Sequence, residues 1–114
     1  MTQQNQSKAY RNELFRHLDG IVTAPSAFVL YEKGVLDYLI KHKKNQLSVL
    51  AKEFNANEGY LNVALRVMCS QGWLKQNVTS QDVEFSINDN SIDAFKCVPF
   101  YKDVVELLKF SEKF

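Results

Sequence analysis

The hydrophobic positions change their spacing twice along the chain, and each change marks an element boundary. The opening MTQQNQS is polar and without periodicity, which predicts a disordered tail over residues 1–7. From Lys8 onward Tyr10, Leu14, Phe15 and Leu18 recur on one helical face, and Gly20 reads as the stop. Thr23-Ala24-Pro25-Ser26 then reads as a new start, with Thr23 as cap and Pro25 in the first turn. Ala27, Phe28, Leu30 and Tyr31 line the helix that follows, and Gly34 ends it. A short helix over Val35 to His42 turns Val35, Leu36, Leu39 and Ile40 inward. The charged stretch Lys41 to Asn45 reads as a solvated linker.

Two further helical runs stand close together. Leu47, Leu50, Ala51 and Phe54 form the first apolar face; Leu61, Ala64, Leu65 and Met68 form the second. Asn55-Ala56-Asn57 separates them as a turn, Asn57 and Glu58 suit the N-terminal end of the second helix, and Gly72 closes it. Then the period drops to two. Trp73 to Val78 and Val83 to Ile87 alternate as strands around the polar turn Thr79 to Asp82. Asn88 to Ser91 opens another helical stretch through Phe95 and Cys97, broken at Pro99. The last run, Phe100 to Phe114, carries Val104, Val105, Leu107, Leu108 and Phe110 on a broad apolar face. It ends without a polar cap, which reads as a chain continuing into a further segment. The predicted fold is mainly α: a winged helix-turn-helix with a two-stranded β-wing and flanking N- and C-terminal helices, one domain over residues 8–114.

Charge narrows the function. Fourteen Lys and Arg against 13 Asp and Glu leave a net charge of +1, a poor balance for a domain that lives on phosphate backbone. The candidate reading head of the second helix is Asn57, Asn62 and Arg66, accompanied by the acid Glu58, which phosphates disfavour. Nucleic acid is therefore not expected among the partners, and a winged-helix transcription regulator is the alternative reading. Fourteen aromatic rings (eight Phe, five Tyr, one Trp) are many for 114 residues. Tyr10, Phe15, Phe28, Tyr31 and Tyr38 lie on the first three helices, outside the helix-turn-helix, where they could fill the core or face another surface.

No catalytic constellation emerges from the residues. Glu13 and His17 stand at i and i+4, a spacing more often found in surface pairs, and no His/Cys/Asp/Glu cluster has metal-ligand spacing. Cys69 and Cys97 read as buried free thiols. No Gly-rich phosphate loop, signal peptide or membrane-length apolar run is present, so no catalytic, cofactor-binding or metal residue is assigned. A cytoplasmic location is expected.

The run from Ser26 to Gln76 contains Glu32-Lys33-Gly34-Val35-Leu36-Asp37, Leu50-Ala51, Tyr60-Leu61 through Leu65-Arg66, and Ser70-Gln71-Gly72-Trp73-Leu74 leading into the wing. In order and spacing it resembles the N-terminal winged-helix dimerisation domain of class I S-adenosylmethionine-dependent methyltransferases of the small-molecule O-methyltransferase type. The resemblance implies a homodimer and a contribution of helices to a substrate pocket. It also implies a downstream methyltransferase domain that holds S-adenosylmethionine and the small-molecule substrate. The chain would then be an excised fragment, a stand-alone remnant, or a module of a larger biosynthetic enzyme such as a polyketide synthase. On this reading Leu14, Phe15, Leu18, Leu107, Leu108 and Phe110 are expected at the dimer contact, and Phe28 and Tyr31 in the pocket wall.

Overall fold

A computed structural model describes residues 3–110, with side chains from residue 7. Six helices and three strands follow in the order α1 (Gln3–Glu32), α2 (Val35–His42), β1 (Lys44–Gln46), α3 (Leu47–Glu53), α4 (Glu58–Ser70), β2 (Leu74–Val78), β3 (Val83–Ile87), α5 (Ser91–Cys97) and α6 (Lys102–Phe110). A 3₁₀ turn over Val98–Tyr101 separates the last two. The molecule is a mainly helical winged helix, as the periodicities predict.

The core forms where the predicted apolar faces converge. Leu36 and Leu39 of α2, Leu50 of α3, Leu65 and Met68 of α4, and Phe85 of β3 are almost completely withdrawn from solvent. Asn57 caps α4 as expected, its side-chain oxygen accepting from the Tyr60 amide at 3.0 Å. Two helix ends close through left-handed residues, which bring late amides back onto otherwise unpaired carbonyls. Gly72 (φ 80°) lets the Trp73 amide donate to the Met68 carbonyl at 3.0 Å. Asn55 (φ 49°) lets the Ala56 amide donate to Ala51 at 2.9 Å, so the turn of the helix-turn-helix is itself a helix stop.

Four expectations need correction. The first two predicted helices are one helix of 30 residues, with Pro25 inside it. Gly20 keeps a helical rather than a left-handed backbone, and Thr23, the supposed cap, is buried. Packing explains the override: Thr23, Ala24, Ala27, Phe28 and Leu30 are all buried, and this burial outweighs the hydrogen bond that Pro25 removes. Helix α1 also begins at Gln3, so residues 3–7 of the expected tail are helical, while Met1 and Thr2 lie outside the described residues.

The predicted two-stranded wing is present as β2 and β3, and a third strand joins its sheet. Lys44–Gln46, whose first two residues read as linker, pairs antiparallel with β3 (Asn45 opposite Phe85), giving the order β1-β3-β2. The strand is too short to show an alternating pattern of its own. Finally, Cys97 is exposed, not buried. The inward face of α5 and the following turn is Ser91, Phe95 and Val98, and Cys97 sits off that face. Cys69 is half-buried, and this burial raises its thiol pKa against the opposing effect of Arg66.

Candidate functional site: an exposed arm, a helix-turn-helix and a cleft

Helix α1 changes character along its length. Its C-terminal third is built into the core against α2, α4 and the 3₁₀ turn, whereas every residue from Ser7 to Val22 is exposed. This exposed arm is not polar. Tyr10, Leu14, Leu18, Ile21 and Val22 follow one another at helical spacing, with Phe15 beside them, so an apolar stripe runs down the arm. Near it α6 packs on α1 and shows Val104, Leu107 and Phe110 to solvent, and Phe100 of the preceding turn is 81% exposed. Leu108 is half-buried.

The surface involved is large. A compact monomer of this length exposes about 6,400 Å², whereas this chain exposes 8400 Å². Its radius of gyration, 16.3 Å, likewise exceeds the roughly 13 Å of a compact domain. The six residues expected at a dimer contact therefore sit on two adjoining elements. Five of them are exposed and apolar.

The two residues expected in a pocket wall part company. Phe28 is only 9% exposed and packs inward, while Tyr31 is 38% exposed, their ring centroids 5.8 Å apart. Neither lines the cleft beside the helix-turn-helix. That cleft, about 330 Å³, lies between the end of α1 and the α3–α4 turn. Val29, Leu30, Phe54, Leu61 and Ala64 supply apolar wall, while Lys33, Asn57 and Tyr60 supply the polar groups. Sequence periodicity could not find it, because its lining is drawn from three helices and a turn.

The candidate DNA contacts are only partly presented. Asn57 spends its side-chain oxygen on the α4 cap, and the Asn62 oxygen is buried without a hydrogen-bond partner. Arg66 is exposed. The wing behind them is tied down at its tip and base. Asp82 accepts from Ser48 of α3 and from the Val83 amide at 2.8 Å, which together hold its carboxyl below the usual range. At the base the Asn88 amide donates to the buried Ser91 hydroxyl at 2.8 Å, and Ser91 donates to the Trp73 carbonyl. The Asn88 side chain donates to the Gly72 carbonyl at 2.9 Å.

Among the described residues no group of three or more His, Cys, Asp or Glu could hold a metal ion. Within the same residues no helix is long and apolar enough to cross a membrane. Tyr38 lies tilted against His42 (centroids 4.1 Å apart) and meets Phe54 edge-on at 5.3 Å, joining α2 to the residue that ends α3.

Comparison with known proteins adds the following. The family model of the AprA N-terminal domain matches residues 10–76, more than half of the chain. A search of curated proteins finds no match. Among solved structures, human N-acetylserotonin methyltransferase in complex with SAM superposes with a TM-score of 0.64 at 22% identity. The match covers 75% of this chain and 25% of that one, so the chain spans about a quarter of the enzyme's length. A transcriptional regulator homologue from Pyrococcus horikoshii OT3 gives 0.51 at 23% identity, covering 66% of this chain and 79% of that one. The overoxidized AbfR bound to DNA gives 0.52 at 16% identity and covers 98% of both chains. At these identities the structural likeness speaks for the fold.

Proposed function

Since the chain belongs to the AprA N-terminal domain family, we propose that it is the non-catalytic dimerisation and substrate-lid part of a small-molecule, S-adenosylmethionine-dependent methyltransferase. The observation that carries this reading is the arm of α1. A helix exposed on every residue from Ser7 to Val22 has no reason to keep an apolar stripe unless something covers it. A second copy presents the same stripe, which a two-fold interface requires. Leu14, Phe15 and Leu18 on the arm, with Leu107, Leu108 and Phe110 on α6, form the contact.

Catalysis belongs to a downstream domain in this reading. That domain supplies the S-adenosylmethionine site and the methyl acceptor, either in a free-standing enzyme or within a larger biosynthetic one such as a polyketide synthase. The arm and the exposed edge of α1 near Tyr31 would wall its substrate pocket, since small-molecule sites favour domain boundaries.

Sedimentation equilibrium of the chain tests the proposal. A dimer at micromolar concentration is the expected result, and a well-behaved monomer at high micromolar concentration overturns it. The rival reading, a DNA-binding regulator, draws on the fold likeness to AbfR. It has less support from the recognition helix, where Arg66 is the best-presented of the three candidate contacts.

A further inference from the structure

The cleft beside the helix-turn-helix combines three features that point to one class of ligand. Its volume, about 330 Å³, lies at the small end of ligand pockets. Its walls are mostly apolar: Val29 and Leu30 from α1, Phe54 from the end of α3, and Leu61 and Ala64 from α4. The charge lining it has one sign. Lys33 is the one charged side chain among the described residues that line it, and the first turn of α4 borders it through Asn57 and Tyr60. The N-terminal end of a helix carries partial positive charge, so the lysine and the helix both favour an anion. Glu32 precedes Lys33 and Glu58 stands in that first turn of α4, opposing the helix end, but neither lines the cleft.

We propose that this cleft binds an apolar monocarboxylate, its hydrocarbon body against Leu30, Phe54, Leu61 and Ala64 and its carboxylate between Lys33 and the first turn of α4. Tyr60, 79% exposed at the rim, would close over the bound molecule and gain burial there. The site is separate from the apolar arm, so the inference holds whether or not the chain dimerises. It needs no methyltransferase partner.

Titration calorimetry of the whole chain with octanoate and with octan-1-ol, both below their aggregation limits, tests it. Octanoate is expected to bind one per chain and about tenfold or more tightly than the alcohol, since only the carboxylate forms charge-assisted hydrogen bonds. Lys33→Gln should close that gap, whereas Lys75→Gln, on an exposed position of β2, should leave it intact. Ala64→Phe fills the cleft and should abolish binding of both probes. Equal affinity for acid and alcohol overturns the proposal. So does octanoate binding that survives in an Ala64→Phe chain with the circular dichroism of the parent, because the probe is then on the arm or another surface. Should Ala64→Phe not fold, the two lysine variants decide alone: a gap that persists in Lys33→Gln overturns the site.

Discussion

Asp82, in the turn at the tip of the wing, accepts hydrogen bonds from both the hydroxyl and the backbone amide of Ser48, in the first turn of α3. The two residues are 34 positions apart. Gln46, the local cap position of α3, makes no side-chain bond to the helix, so the wing provides the cap that the neighbouring sequence lacks. The first helix of the helix-turn-helix and the wing are thereby one mechanical unit.

That bond makes part of the stability depend on acid. Hydrogen bonding from Ser48 holds the Asp82 carboxyl below its ordinary value. Its contribution is therefore complete above the unfolded value of about 3.9 and disappears as pH falls through the lower folded value. Asp82→Asn should lower the melting temperature at pH 7 and flatten its fall below about pH 4. Thermal melts from pH 2 to 7 read both effects. Parallel curves for parent and variant would deny Asp82 this role.

Two glycines should respond oppositely to the same change. Gly20 lies inside α1 with helical backbone, and a methyl group there meets nothing within 4 Å. Gly20→Ala should stabilise the chain by about 0.8–1 kcal/mol. Gly34 holds φ at 84° between α1 and α2, and Gly34→Ala should cost about 1–2 kcal/mol. Urea unfolding of the two variants settles the signs.

Phe28 and Tyr31 share a helix but not a role. Phe28→Ala removes a buried ring and should cost about 3–5 kcal/mol. Tyr31→Ala, on an exposed edge, should change stability by no more than about 0.5 kcal/mol. In a full-length methyltransferase it should instead alter the Michaelis constant for the acceptor. Normal turnover by the Tyr31 variant would remove that edge of α1 from the substrate site.

Charges on the arm should dissociate the proposed dimer without unfolding the domain. Leu14→Asp with Leu18→Asp removes two apolar burials worth about 1.5–3 kcal/mol each, so self-association should weaken at least about 100-fold. Light scattering after size exclusion measures the mass, and an unchanged melting profile of the monomeric core would show that only the interface was lost.

DNA binding should be weak and indifferent to sequence. With a net charge of +1 the chain can neutralise few phosphates, so any complex should vanish by physiological salt. A gel-shift titration in which Arg66→Ala loses a large preference for one duplex would restore the regulator reading.

The parts of the fold that the sequence made legible are those in which local and tertiary preferences agree. The faces Leu36-Leu39, Leu47-Leu50 and Leu61-Leu65-Met68 repeat at helical spacing and are buried. Gly72 and Asn57 act as stop and cap in the helix they border. Reading failed where distant contacts decide. Gly20 and Pro25 are local breakers overruled by the core that Ala27 and Leu30 enter. Strand β1 exists because β3 offers it an edge, which its three residues do not announce. The cleft was invisible for a similar reason, as Lys33 and Ala64 meet only in three dimensions.

Continuity through Gly20 and Pro25 has a metric consequence. Because α1 is anchored in the core by Ala24, Ala27 and Leu30, its exposed portion projects from the core as a continuation of the same helix. At 1.5 Å per residue, the exposed stretch from Ser7 to Val22 measures about 24 Å. Any copy gripping that rod is held at a distance fixed by where along it the grip falls, and slipping by one turn would shift the spacing by about 5.4 Å. In the proposed dimer the spacing of Leu14, Leu18 and Val22 would thus work as a ruler, setting how far apart two such cores, and whatever each carries, come to rest.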